Sequence, residues 1–395
     1  MTTVGIICEF NPFHYGHRYL IREARKAFPD QPVICVMSGN YVQRGEPAFY
    51  DKMSRTEMAL LGGADMVLEL PTYYAAATAE KFALGACRIL ASTGLVSSLV
   101  FGMEDPENLP LLYKAAAFLT ANDSPYPELL KDRLREAPSY AAARGEVLSF
   151  LLDSPLPTGP NEILALEYLS ALKRLSFSPE ILPIRRTAPH TDDVDPSGRF
   201  LSSSAIRKKA MEGLDIYGVL PVSGSGLPVF SSSMFQPLLY RLCFHDAPSL
   251  AGIDEIEEGL ENRILRAASE ASSYDDLLAR LTTKRYPTAR LRRILLNILL
   301  DITKERKKEL AFSEGPGYIR VLGIKKEHLS LLGALSEKSS LPVVTNLARD
   351  LDLLPAKAKA MLQDELIFTK IYRTLLPDPS ALTSSEKSVP LMILS

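Results

Sequence analysis

The sequence predicts an α/β fold, a Rossmann-like parallel sheet, followed by a mainly α-helical C-terminal part. Three observations carry this. Apolar strand-like runs alternate with helical patterns from the start of the chain to Arg186. Most of those runs are apolar throughout, as strands covered on both faces are. Beyond residue 233, helical periodicity dominates and strand signals are few. The expected division is residues 1–221 for the α/β domain, with a helical insertion at about 106–152. A Gly/Ser-rich linker follows at 222–233, then a helical domain at 234–395.

The 395 residues suffice for two domains. Hydrophobic residues at 46% and charged residues at 23% are ordinary for a soluble globular protein. No apolar run reaches the roughly 18 residues that span a bilayer. The apolar start reads as a strand rather than a signal peptide, so a cytoplasmic protein is expected. A formal charge of -2 excludes a globally basic nucleic-acid binder but leaves room for a local patch. Cys8, Cys35, Cys87 and Cys243 lack Cys-x-x-Cys spacing, which argues against a zinc knuckle or a disulfide framework. Three of them sit in apolar segments and read as small core residues.

In chain order, residues 3–17 read as a buried strand, a tight loop and the first turn of a helix. Val4, Ile6, Ile7 and Phe10 supply the strand. Asn11-Pro12 ends it, because proline has no amide hydrogen for a ladder bond. Residues 31–40 form a second buried strand. A helix at about 54–61 puts Met58, Ala59 and Leu61 against a sheet. Residues 66–71 are a third strand, about 78–92 a helix, and 96–102 a fourth strand. After a rigid Pro-rich loop, a helix starts at Asn161, which is available as its cap. Residues 181–186 are a last short strand ending in Arg185 and Arg186. Residues 191–198 are an acidic loop, and 201–209 open another helix.

The chemistry concentrates at strand ends. His14 and His17 bracket Gly16 at a strand-to-helix turn. Two imidazoles and exposed backbone amides at a helix start suit a phosphate chain, and Gly16 would let the phosphates approach the backbone. In Ser202-Ser203-Ser204-Ala205-Ile206-Arg207, hydroxyls and amides at a helix start meet an arginine one turn on, again suited to anionic oxygens. Gly102 closes the fourth strand, where ligands of such sheets lie. Arg185 and Arg186 suit a triphosphate or an adenylate. Glu9 is a candidate to orient Asn11 or a histidine, or to hold magnesium; a single carboxylate leaves metal binding undecided. Lys52 and Arg55 follow a strand end and read either as a solvated helix start or as cations facing an anionic substrate or RNA. From Lys284 to Arg293 there are five basic residues in ten and no acidic one. Lys284, Arg285, Arg290, Arg292 and Arg293 could neutralise phosphates, with Tyr286 offered for stacking.

The His-x-Gly-His pattern resembles the signature of the nucleotidyltransferase superfamily, which includes class I aminoacyl-tRNA synthetases. The resemblance implies that His14 and His17 contact the phosphates of ATP and stabilise charge as pyrophosphate leaves. Leu201 to Arg207 is similar to the Ile-Ser-Ser-Thr-x-Ile-Arg element of that superfamily, which makes Ser204 and Arg207 catalytic candidates. Lys52-Met53-Ser54-Arg55 resembles the Lys-Met-Ser-Lys-Ser loop of the synthetases, but follows the second strand instead of the last.

More specifically, Glu9-Phe10-Asn11-Pro12-Phe13-His14-Tyr15-Gly16-His17, Val36 to Pro47, Val67-Leu68-Glu69-Leu70-Pro71, Pro160 to Leu164, Glu257 to Ile264, Thr283 to Tyr286 and Tyr318 to Gly323 resemble the bacterial tRNA(Met) cytidine acetate ligase family. The resemblance spans nearly the whole chain. It implies an enzyme that makes acetyl-adenylate from ATP and acetate, then acetylates N4 of the wobble cytidine of elongator tRNA(Met). It also implies an ATP site formed by Ile7, Cys8, Glu9, Phe10, Asn11, Pro12, Phe13, His14, Tyr15, Gly16, His17, Arg18, Tyr19 and Leu20. Gly102, Asn161, Arg185 and Arg186 complete that site. Many members carry an aromatic-His-Asp sequence after the arginines, where this chain has Pro189-His190-Thr191-Asp192. Two other readings compete. A small-molecule adenylyltransferase accounts for the opening motif but leaves the basic cluster without a purpose. A non-catalytic RNA-binding protein would not need the intact histidine and serine–arginine elements.

Overall fold

Strand β1, Thr3–Cys8, is wholly buried and lies near the middle of the main sheet in a computed structural model of the chain. The structure describes residues 2–137, 139–186, 201–222, 226–378 and 385–395. The expectations for 191–198 and for Pro189 to Asp192 lie outside them, as does part of 222–233.

The other strands are β2 (Val33–Ser38), β3 (Tyr41–Val42), β4 (Glu46–Pro47), β5 (Met66–Leu70), β6 (Val96–Met103), β7 (Glu180–Arg185), β8 (Ile319–Lys325), β9 (Val343–Val344) and β10 (Met392–Leu394). The main sheet runs β10-β8-β5-β2-β1-β6-β7, with β9 paired to β8. Its pairs are parallel except β5 with β8. β3 and β4 form a separate antiparallel hairpin.

Both sheet faces are covered, as the apolar runs predict. On β2, Ile34 and Val36 join one core cluster, while Val33, Cys35 and Met37 join the other. The helices Tyr15–Ala27 and Lys52–Leu61 pack on the second face through Ile21, Ala24, Met58 and Ala59. Leu61, expected to face the sheet, is exposed, and Leu60 is buried instead. The helices Ala79–Ser92 and Pro160–Arg174 cover the first face. Three helices between Leu109 and Leu152 form the insertion: Leu109–Thr120 packs on Pro160–Arg174, and Tyr140–Leu152 packs on Leu109–Thr120 and Tyr126–Arg133.

The last third of the chain contributes helices and the strands β8, β9 and β10. β8 pairs with β5, and its Arg320 donates to Glu69 at 2.9 Å inside the core. Glu69 also accepts from Lys52 at 2.6 Å, and Glu386 lies within 2.7 Å of both cations. Lys52 is 2% exposed and Arg55 wholly buried, so neither faces a ligand or RNA, contrary to one of the two readings above. Arg55 donates to the carbonyls of Glu9 at 2.7 Å, Ser38 at 3.0 Å, Tyr50 at 2.9 Å, and also to Gly39. It ties together the chain segments that leave β1 and β2. Cys8, Cys35 and Cys87 are buried, as expected, and Cys243 is exposed.

Candidate active site

Phe10, counted with the first strand from its apolar character, lies beyond it with a left-handed backbone, φ 49°. A bulky residue stays there only when its surroundings hold it. Its ring is fully buried, edge-on to Phe13 at 4.9 Å. Both rings lie against His17, at 4.9 and 5.8 Å between centroids. Asn11 Oδ1 accepts from the Phe49 amide at 2.6 Å. The loop is therefore a packed shelf under the histidines.

The helix Tyr15–Ala27 begins with the two histidines capping it reciprocally. His14 Nδ1 accepts from the Gly16 amide at 3.0 Å, and His17 Nδ1 accepts from the His14 amide at 3.2 Å. The rings stack at 3.7 Å. A ring nitrogen that accepts is unprotonated, so each neutral imidazole carries its proton on Nε2. Burial, then the charge of Arg186, pushes His14 down to about 3. Burial, then His14 and Arg186, drives His17 well below the usual imidazole range. Near neutral pH the pair presents two uncharged rings, each with an Nε2–H to donate. This corrects the expectation for the helix start: the amides of His14 and Gly16 are taken by the rings. Gly16 is needed for the ring as well, since a Cβ there would lie 2.8 Å from His14 Cε1.

The rings line a cleft of about 590 Å³, the size of a small-ligand site. Within the segment 7–20, the residues Pro12, Phe13, Tyr15 and Arg18 do not line it; the other ten do. Gly102, Asn161, Arg185, Arg186, Ser204 and Arg207 line it too, so the fold gathers both distant elements at one place. Gly102 lies within β6 rather than after it. Ser202 caps the helix Ser203–Met211 by accepting from the Ala205 amide at 3.2 Å. Ser203 Oγ donates to the Pro12 carbonyl at 3.4 Å, and Arg207 Nη1 to the Asn11 carbonyl at 2.7 Å. Asn161 is not the cap of its helix. Gly159 holds that position, and Asn161 Nδ2 donates to Glu104 at 2.8 Å. Arg185 is exposed and pairs with Asp105 at 2.8 Å.

Glu9 orients neither Asn11 nor a histidine: its Oε1 accepts from the Gln43 amide at 2.6 Å. Burial raises its carboxyl above the usual range, against the pull of that amide and of Arg44, Arg207 and Arg55. Glu46, the other carboxylate lining the cleft among the described residues, pairs with Arg292. Among the described residues, one three-ligand grouping exists elsewhere, Asp65, Glu327 and His328, and its Asp65 is already bound by Arg25 at 2.5 Å and the Val33 amide at 2.7 Å.

Residues 1–387 match the family described as HIGH Nucleotidyl Transferase. The chain is 36% identical to the tRNA(Met) cytidine acetate ligase of Thermoanaerobacter sp. (strain X514), over 94% of this chain and 95% of that protein. It is 35% identical to the protein of that name from Acetivibrio thermocellus, over 96% of each. The chain belongs to the tRNA(Met) cytidine acetate ligase family. Its fold matches the crystal structure of Thermotoga maritima TmcAL bound with alpha-thio ATP, with TM-score 0.89, 31% identity and full coverage of both chains. The apo form of that protein gives a TM-score of 0.91. The expected fold class, a nucleotidyltransferase-type sheet domain with a mainly helical C-terminal part, is the one found.

The basic cluster of this family member lies outside the cleft lining, and its parts differ. Tyr286 is 6% exposed, with Arg285 and Arg290 over its ring, so it does not offer a stacking face to RNA. Arg290 pairs with Glu257, Arg292 with Glu46, and Arg293 with both oxygens of Glu255 at 3.1 Å. Lys284 and Arg285 are exposed, Arg285 reaching Glu257 at 3.3 Å. The sequence reading assigned no role to Gln43, Arg44 and Glu46, which line the cleft from the β3–β4 hairpin. The one signal for them is their place in the Val36 to Pro47 stretch that carries the family resemblance.

Proposed function

We propose that the protein activates acetate with ATP and acetylates N4 of the wobble cytidine of elongator tRNA(Met), in the cytoplasm. An acetate oxygen attacks the α-phosphorus of ATP. The new O–P bond forms as the bond to the β-phosphate oxygen breaks, and pyrophosphate leaves. The cytidine amine then attacks the acetyl carbonyl. A C–N bond forms, the C–O bond to the adenylate breaks, and N4-acetylcytidine, AMP and a proton result.

The observation that carries this reading is the stacked His14–His17 pair facing a cleft that Arg186 and Arg207 also line. Attack on the α-phosphate needs alignment and charge neutralisation rather than a protein nucleophile. Two neutral Nε2–H donors suit the phosphate oxygens, and two guanidiniums supply the positive charge. Gly102, Asn161, Arg185 and Arg186 complete the ATP site on the β6–β7 side, and Ser204 offers a hydroxyl beside Arg207. The relatives are named for acetate and tRNA(Met), which supports those substrates here. In this reading residues 1–221 carry the ATP chemistry and residues 234–395 carry the tRNA contacts. Lys284 and Arg285 are the members of the basic cluster most open to phosphate.

The test is purified protein with ATP, labelled acetate and a tRNA(Met) transcript. Label should appear in the RNA as N4-acetylcytidine, with one AMP per acetyl group. Unlabelled RNA together with AMP transferred to a small metabolite would overturn the reading.

A further inference from the structure

We infer that Arg44 is a positioning residue for the second step, gripping a phosphate of the RNA strand that carries the reacting cytidine. The inference rests on the acetyl-transfer reading above.

Arg44 sits at the tip of the β3–β4 hairpin. It lines the cleft, is exposed, and has no hydrogen-bond or ion-pair partner among the described residues. The backbone that carries it is fixed from both sides. Glu9 accepts from the Gln43 amide at 2.6 Å on the cleft side. On the other side, Gly45 at φ 74° lies against the helix Thr288–Leu300: a Cβ there would be 2.4 Å from the Arg293 nitrogen. Glu46 adds an ion pair to Arg292. An arginine with no ion pair on a fixed turn is preorganised for an anion, even with the Glu9 carboxyl near enough to feel its charge. Arg44 also stands close enough for its charge to disfavour that of Arg207, against the pull of Glu46, and an anion beside both relieves that repulsion.

Its position indicates which anion. The hairpin follows β2, on one side of β1, whereas β6 and β7 lie on the other. Gly102, Asn161, Arg185 and Arg186 belong to the β6–β7 side and the histidines follow β1. A nucleotide with its adenosine on the first and its phosphates at the second leaves the β2 side open for the acceptor. The same hairpin touches, at Arg292 and Arg293, the helix that the exposed Lys284 and Arg285 precede, so the cleft opens toward the part of the chain that carries those two cations. A phosphate of the adenylate itself is the other source of the same chemistry.

Arg44→Ala and Arg44→Lys in the full chain separate the two. The measurements are acetate-dependent ATP–pyrophosphate exchange without RNA, and acetyl transfer as a function of tRNA(Met) transcript and salt. For Arg44→Ala we expect the KM for tRNA to rise about tenfold or more, while exchange falls no more than about threefold. The salt slope of tRNA binding should become shallower by about one counter-ion. Arg44→Lys, which keeps the charge, should recover much of the slope. Exchange falling as far as transfer would assign Arg44 to the adenylate and overturn the inference. An unchanged KM and salt slope would overturn it equally. If the wild type makes no acetylcytidine, the failure lies with the reaction, and the effect of Arg44→Ala on tRNA affinity still decides this point.

Discussion

The guanidinium Nη1 of Arg207 donates to the carbonyl oxygen of Asn11 at 2.7 Å, across 196 residues of chain. The bond pins the helix Ser203–Met211 onto the loop that shelves the histidines. Arg207→Ala therefore removes both a charge and a clamp. We expect the exchange kcat to fall by about 10²-fold or more, with little change in thermal stability. Arg207→Lys keeps the charge but not the fork and should recover only part. Full recovery by lysine in the exchange assay would remove the clamp from the account.

His17→Ala deletes one Nε2 donor and the cap on the His14 amide. Exchange should be abolished while tRNA affinity stays nearly unchanged. Equal loss of both would mean that the two steps share this residue.

His14 is held neutral in the folded state, down to about 3, whereas the unfolded chain protonates it near its ordinary 6.5. The unfolded state thus binds more protons below pH 6.5, and stability falls as pH drops from 6.5 toward 3. His14→Asn can still cap the helix but cannot charge, so its urea midpoint should fall less over that range. Parallel wild-type and variant curves between pH 6.5 and 4 would contradict the buried neutral ring.

Gly45 and Gly213 both have positive φ, 74° and 75°, but only Gly45 has neighbours in the way. Gly213→Ala should cost roughly 1–2 kcal/mol from backbone conformation alone. Gly45→Ala adds the clash with Arg292 and Arg293 and should cost roughly 2–5 kcal/mol. Denaturant unfolding of the two variants measures the difference, and equal losses would mean the hairpin yields freely.

Glu365 lies in the core, where it accepts from the Thr72 amide at 2.5 Å and its hydroxyl at 2.8 Å. Burial, then the charge of Glu69, pushes it up to about 8, against the pull of Lys52. The folded state keeps a proton that the unfolded state releases near pH 4.5, so stability falls as pH rises from there to 8. Glu365→Gln should flatten this decline in urea midpoints taken between pH 5 and 8. A variant that declines as steeply as the wild type would place the proton elsewhere.

The local features were legible in the sequence. β1, β2, β5 and β6 announce themselves as apolar runs, and the histidines need only their neighbours. What was hidden depends on partners far along the chain. β8 carries Arg320 and Gly323, which disguise a buried strand until Glu69 of β5 is seen to neutralise the arginine. Lys52 looks like a surface lysine because Glu386 is over three hundred residues away. The basic cluster seemed unopposed because no carboxylate stands at helical spacing. Glu46, Glu255 and Glu257 arrive through the fold. Gln43 and Arg44 carry no local signal of a role, since nothing in the neighbouring sequence places a hairpin tip in a cleft.

The order in which the sheet closes matters for how the chain is made. Every residue named in the cleft has left the ribosome by Arg207, yet β5 stays an open edge until Ile319–Lys325 emerges to pair with it. Until then Glu69 also waits for Arg320 and Glu386. An open, flat, apolar strand is an invitation to pair with a neighbouring nascent chain. A product ending between residues 207 and 319 would hold the complete set of ATP-facing side chains and still be expected to aggregate. Competence for the first chemical step is thus acquired only when synthesis is nearly over.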